Sequence, residues 1–272
     1  MIIIHKTNEH RIIGLASALK YIGEDISFWD SELISAFDMC KLKAPKYVII
    51  EDRYINQSLV DASIKYKVAL IPYGVFQGTP VKLNLVHETV PPKIRQNLNM
   101  YYTLNLAADY ARFSPNKEHK VEKSGLFIRY PDTPITSEAY EFILGLAKLP
   151  KTLPIRICSN QHIPSPYYVG WASDKQVKNE LARSEFLISF DNHYYDAIIN
   201  KTVPFDWAGK NRGESVENYS GQPKLAAKFL KNNYSATINS NTYFSRLVDI
   251  GTLLEEKEWV LKCKSTLMQI QS

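Results

Sequence analysis

Apolar residues open the chain as Ile2, Ile3 and Ile4, and from Arg11 to Ile22 they recur at helical spacing until Gly23 breaks the run. A strand, a loop and a helix are predicted. The alternation continues through a strand at 26–30, a helix at 31–42, a strand at 46–52, a helix at 56–66 and a strand at 67–74. Strands alternating with helices of this length form a parallel sheet with right-handed crossovers. Beyond Gly74 the regularity weakens: Pro80, Pro91 and Pro92 punctuate the chain, and only 81–86 reads as a strand.

A polar, turn-prone stretch at 109–125 reads as a linker, and a second alternating series follows it. Its predicted strands are 125–130, 154–158, 167–171, 186–190 and 202–206, with helices at 137–149, 174–184 and 193–200. Ser173 with Gln176 three residues on has the form of a capping box for the second of these helices. Helical runs at 222–232 and 243–270, with a short strand near 234–238 between them, complete the pattern. The fold class predicted is α/β, two Rossmann-like domains facing across a cleft. The first is expected over 1–112 and the second over 113–272, the terminal helices included.

Composition narrows the picture without changing it. Of 272 residues, 45% are hydrophobic and 22% charged, which suits a soluble globular chain with a real core. No apolar stretch is long enough to span a membrane, and "MIIIHKTNEH" lacks a basic leader, so a cytoplasmic protein is expected. Cys40, Cys158 and Cys263 are scattered and form no CxxC, which points to reduced thiols in packing roles. A net charge of +5 favours an anionic partner, nucleic acid or a phosphorylated metabolite, although the basic residues form no block.

Open parallel sheets bind ligands beyond the carboxyl ends of their strands. In the first half those ends carry His5, Asp30, Glu51, Asp52 and Tyr73; in the second they carry Arg129, Asn160, Trp171, Asp191, Asn192 and His193. Arg129 at a strand end, with Thr136 and Ser137 where a helix starts, suits a diphosphate, because free helix amides and their partial positive charge attract anions. The competing reading makes Arg129 a surface ion-pairer and Thr136 a helix cap. His193 and Asp196, three apart, share one helix face and are placed to hold a ribose, unless Asp196 only serves the helix dipole. The absence of GxGxxG and GxxxxGK[ST] argues against a dinucleotide oxidoreductase and a P-loop NTPase, and His87-Glu88 lacks the second His of HExxH.

Two stretches carry a family resemblance. "DYARFSP", with Asp109, Phe113 and Pro115, and "DAIINKTVPF", with Asp196, Ala197 and Thr202, resemble the interdomain junction and the donor-binding segment of GT-B glycosyltransferases. Ile188 stands where retaining members carry a Glu, and Lys201 replaces a Gly. The segment "HYYDAIINKTVPFDW" is closer in rhythm to phage DNA beta-glucosyltransferases, His193 and Asp196 falling where an Arg and a Glu hold the donor ribose, while Tyr73-Gly74 stand where their catalytic Asp falls. The resemblance implies a sugar transferase using a nucleoside-diphosphate sugar such as a UDP-sugar. No Asp-x-Asp occurs, so neither a metal nor another cofactor is expected.

In that reading Arg129, Thr136 and Ser137 face the diphosphate, Asp196 and His193 anchor the nucleoside, and Trp171, Asp191 and Asn192 belong to the same donor site. The general base comes from Asp52, Glu51, Asp30 or His5, in that order. The acceptor implied is a hydroxymethylated base in double-stranded phage DNA. The alternatives are a cell-surface glycan or a non-catalytic nucleotide-sugar binder.

Overall fold

The computed structural model describes residues 1–115, 122–130, 153–189, 193–205, 210–211, 214–220 and 222–271. The chain folds as two compact units, one formed by Met1–Ala107 together with Tyr243–Ser272, the other by Ala108–Thr242. The predicted helix at 137–149, Thr136, Ser137, Asp191 and Asn192 lie outside the described residues.

In the first unit, β1 (Ile2–His5) is buried at every position, as a parallel strand covered on both faces must be. It is followed by α1 (His10–Tyr21), β2 (Ile26–Trp29), α2 (Ala36–Lys43), β3 (Tyr47–Glu51), α3 (Gln57–Tyr66) and β4 (Ala69–Tyr73). Then comes β5 (Asn84–Val86), within the strand predicted at 81–86, followed by the short helix α4 (Pro92–Arg95) and β6 (Tyr101–Thr103), neither of which the sequence pattern foretold. These strands form one parallel sheet in the order β2-β1-β3-β4-β5-β6. Side chains capping α2 and α3 explain their starts: Ser35 accepts from the Asp38 amide at 3.1 Å and Asn56 from the Leu59 amide at 3.0 Å. Helix α2 begins later than predicted because the Trp29 indole donates to the Ile34 carbonyl at 2.8 Å, holding 31–34 in a loop.

One face of this sheet packs Ile3, Val48, Ile50 and Leu70 against Met39, Cys40, Leu59 and Ala62 of α2 and α3. The other face receives α1 and the chain's last two helices, Tyr243–Leu253 and Lys257–Gln271. The Trp259 ring stands edge-on to Tyr47 at 5.7 Å, and the Tyr47 hydroxyl donates to Glu256 at 2.5 Å. Tyr243 lies so close to α1 that a Cβ on Gly14 would meet its ring at 2.1 Å.

The second unit begins with a short helix, α5 (Tyr110–Phe113), inside the stretch read as a linker. Its sheet runs β11-β10-β7-β8-β9, all parallel, from β7 (Leu126–Arg129), β8 (Ile155–Cys158), β9 (Tyr168–Gly170), β10 (Phe186–Ser189) and β11 (Val203–Phe205). Ser173 caps the helix Asp174–Arg183 through the Gln176 amide at 3.3 Å, but the Gln176 side chain turns forward to Glu180 instead of closing the box. Glu180 is fully buried and takes Arg156 at 2.8 Å and Arg183, while the Lys123 ammonium sits on the carbonyls of Leu181 and Ser184 and on the Thr202 hydroxyl at 2.9–3.0 Å. Burial pulls the Lys123 ammonium down to about 8.

Three sequence expectations differ from the structure. Residues 234–238 are not a strand but the interior of a single helix, Pro223–Ser240. The predicted run at 243–270 is two helices, broken where Glu255 adopts a left-handed backbone at φ 62. The division at 112/113 with all later residues in the second domain also differs from the structure. Tyr243 onward packs on α1 and β3 of the first unit, because Tyr243, Phe244, Leu247 and Trp259 need an apolar face to cover them. The three cysteines are free and buried, and no helix among the described residues is long and apolar enough to cross a membrane.

Gly14→Ala should therefore destabilise the protein by about 1 to 3 kcal/mol by overpacking against Tyr243. In a double-mutant cycle with Tyr243→Ala the two changes should be strongly non-additive in denaturant unfolding, since removing the ring makes room for the methyl. Additive losses would show that this helix does not seat on α1.

Candidate active site

The first sheet changes direction of winding between β1 and β3, since β2 lies on one side of β1 and β3 on the other. At such a switch point the connecting loops part and leave a crevice at the carboxyl ends. A cavity of about 500 Å³ lies there, lined by His5, Thr7, Asp30, Ser31, Glu51 and Tyr54, with Lys6 and Arg53 also at its wall. His5 ends β1, Asp30 follows β2 and Glu51 ends β3.

His5 is buried at 5% exposure, tilted against Tyr54 at 4.6 Å and edge-on to Trp29 at 5.2 Å. Its Nε2 lies 3.0 Å from the Ser31 hydroxyl. Burial pushes the imidazole below its ordinary 6.5, against the pull of Glu51 and Asp30, so His5 is neutral at pH 7. Glu51 accepts from the Thr7 hydroxyl at 2.5 Å and pairs with Arg53 at 2.7 Å; Asp30 pairs with Lys6 at 3.0 Å. The arrangement holds one uncharged base between two carboxylates, each with a cation against it. Among the described residues no group of three His, Cys, Asp or Glu is placed to hold a metal ion.

Asp52, first in the sequence order of candidate bases, does not line this cavity. The turn at 52–54 sends its carboxylate toward β4, where Oδ2 accepts the Val75 amide at 2.9 Å. A Cβ on Gly74, whose φ is 135, would sit 2.1 Å from that oxygen. Asp52 thus fixes the β4 exit, and a side chain at 74 has no room. The same turn delivers Arg53 and Tyr54 to the cavity, which nothing in strand periodicity foretells; their only signal is adjacency to the end of β3. Tyr73 lies elsewhere too, beside the buried Arg11, which pairs with Glu9 and Glu88 at 3.2 and 2.8 Å.

In the second unit β7 lies between β10 and β8, so its switch point falls between β7 and β10. Arg129 ends β7 and is in register with Ser189 at the end of β10. It is buried, and its Nη1 donates to the Tyr130 carbonyl. Trp171, just beyond β9, is 66% exposed and presents an open aromatic face at the carboxyl edge of the sheet.

His193 and Asp196 are together as expected, but turned inward. Both are buried, with Nδ1 of His193 2.8 Å from Oδ2 of Asp196. The other Asp196 oxygen accepts the Asp109 backbone amide at 2.7 Å. His193 stands edge-on to Phe113 at 5.0 Å, and Asn200 donates to the Phe113 carbonyl at 2.6 Å. The two motifs "DYARF" and "DAIIN" are therefore one contact, in which Asp196 is enclosed as an anchor for α5. Asp109 in turn caps α5 and pairs with Arg112 at 2.5 Å. Burial pushes the Asp109 carboxyl up to about 6, with Arg112 opposing and Asp196 adding to the rise.

No family model and no curated protein matches the chain. Solved structures do. Anabaena Alr3699/HepE, in complex with UDP and glucose, superimposes with a TM-score of 0.62 at 9% identity, over 94% of this chain and 99% of that one. UDP-GlcNAc 2-epimerase from Neisseria meningitidis, bound to UDP-GlcNAc, gives 0.55 at 10% identity over 93% and 99%. The chain has the GT-B fold. AviGT4, a glycosyltransferase involved in Avilamycin A biosynthesis, gives 0.50 at 9% over 98% of each chain. At such identities the likeness is one of fold, and in this GT-B chain it rests on two parallel α/β units whose candidate residues gather at strand carboxyl ends.

Asp196→Ala should leave the Asp109 amide without its buried acceptor and cost about 2 to 4 kcal/mol, whereas Asp196→Asn keeps an acceptor oxygen and should cost less. Hydrogen exchange at 109–113 reads this directly; unchanged protection in the Ala variant would remove the anchoring role. Asp109 binds its proton more tightly folded than unfolded, so its contribution to stability is full below about 4 and lost as pH rises through about 6. Asp109→Asn should flatten the stability profile across that window, measured by urea unfolding.

Proposed function

We propose that this chain transfers a sugar from a UDP-sugar to a hydroxyl of a carbohydrate acceptor. The observation that carries the reading is the neutral, buried His5 at the switch-point cavity of the first unit. An imidazole held uncharged at pH 7 is suited to take the proton of an attacking hydroxyl. As that oxygen bonds to the anomeric carbon, the bond from carbon to the diphosphate breaks and UDP leaves with the bonding pair. Glu51 and Asp30 stabilise the imidazolium so formed. In the second unit Arg129 is assigned to the diphosphate and Trp171 to the uracil face, a role that suits an exposed ring at a strand end.

The structural neighbours that carry UDP, UDP-sugar or glucose support the donor class. For the acceptor, the cations at the cavity are already paired, Lys6 with Asp30 and Arg53 with Glu51. They form no cluster that would neutralise a phosphate backbone, which favours a sugar hydroxyl over a hydroxymethylated DNA base. The cavity's paired carboxylates and histidine also suit proton abstraction from the sugar itself, the reading that a UDP-sugar epimerase would require.

His5→Gln should lower turnover about 10² to 10⁴-fold while UDP affinity by calorimetry stays unchanged. Turnover of the native protein should fall only below an apparent pKa lying under the ordinary imidazole value of 6.5. Full activity of His5→Gln would overturn the assignment. Product analysis with UDP-glucose and UDP-GlcNAc separates the rivals. UDP released in step with glycosylated acceptor supports transfer, an interconverted UDP-sugar supports the epimerase, and neither supports a binder without chemistry. Transfer to hydroxymethylated DNA, with binding that falls steeply between about 50 and 200 mM salt, would restore the nucleic-acid acceptor.

Arg129→Ala should weaken UDP much more than uridine, because only the phosphates lose a charge. Trp171→Ala should weaken both equally. Equal losses for the two ligands in Arg129→Ala would place Arg129 in structural support.

A further inference from the structure

A second cavity of the first unit, about 160 Å³, shares no wall with the His5 site. It lies where β5 and β6 begin, at the opposite strand ends, with Asn84 as the first residue of β5 and Asn97, Asn99 and Met100 just before β6. Asn84 is buried at 3% exposure, and its Oδ1 accepts the Phe76 amide at 3.1 Å. That bond fixes the orientation of the side chain, because the partner is an N–H, and it leaves Nδ2 as a donor at the cavity wall. Among the described residues nothing takes up this donor. Gln77 braces the opposite wall by donating to the Asn97 carbonyl at 3.2 Å.

We infer that this cavity binds one pyranose residue, as a carbohydrate subsite separate from the reacting centre. Carboxamides both donate and accept, which matches vicinal hydroxyls, while Phe76 and Met100 offer an apolar side for the C–H face of a ring. Lys82 is the one charged group among the lining residues, so the wall is too weakly positive to select a phosphate. The space matches a single ring and not a nucleotide. The inference rests on the proposed sugar transfer for its biological sense, since a glycan acceptor held here by one residue would be tethered while another residue reacts.

The test is a titration of the full chain, uniformly labelled with nitrogen-15, with methyl β-glucoside, methyl β-galactoside and methyl N-acetyl-β-glucosaminide, following side-chain amide signals. The Asn84, Asn97 and Asn99 amides should shift and saturate with at least one sugar, and inorganic phosphate should leave them unmoved. Asn99→Ala, at an exposed position that leaves the fold unaffected, should weaken that binding roughly tenfold, the equivalent of about one hydrogen bond. Amides that no sugar shifts, that phosphate shifts equally, or whose sugar response survives Asn99→Ala unchanged overturn the inference. UDP-sugar turnover measured on the same samples keeps the two readings apart. Amide shifts without turnover would sink the transferase alone, and turnover without amide shifts would sink the subsite alone.

Discussion

Ile2, Ile3 and Ile4 are covered on both faces of the first sheet, so the first side chain of β1 able to meet a ligand is His5. The same burial governs β3, where Val48, Ile49 and Ile50 precede Glu51, and β7, where Leu126, Phe127 and Ile128 precede Arg129. A sheet with no solvated face concentrates its polar chemistry at strand ends. Both candidate sites follow from that one constraint.

Burial at those ends also sets the chemistry. An imidazole in water shares its proton near neutrality; enclosed by Trp29 and Tyr54, His5 loses hydration that the charged form needs more than the neutral one. Glu51 and Asp30 each have a cation against them, and they moderate the shift without reversing it. The result is a base ready at pH 7, with acids beside it that steady the charge it acquires.

The second unit uses buried charge differently. Glu180 with Arg156 and Arg183, Lys123 with Thr202, and Asp196 with His193 and the Asp109 amide each place a buried or half-buried charge on partners within the protein. Each would be costly to leave half-made, so these contacts specify which helix sits where more than they add net stability. That is why Asp196 and Thr202, which resemble ligand-binding positions, are found holding α5 and the strands together.

Periodicity alone fixed the alternation of strands and helices, the two α/β units and the strand-end location of His5, Asp30, Glu51, Arg129 and Trp171, because burial on both faces writes itself into sequence as unbroken apolar runs. It did not reveal that Tyr243–Leu253 and Lys257–Gln271 return to the first unit, since an amphipathic helix states that it needs a partner but not which one. Nor did it separate Glu51 from Asp52, neighbours whose side chains diverge at a single turn, one into the cavity and one onto the Val75 amide. Strand order decided which ends converge, and the pairing of Asp196 with Asp109 was decided by a hydrogen bond spanning 87 residues, a distance over which local pattern carries no information.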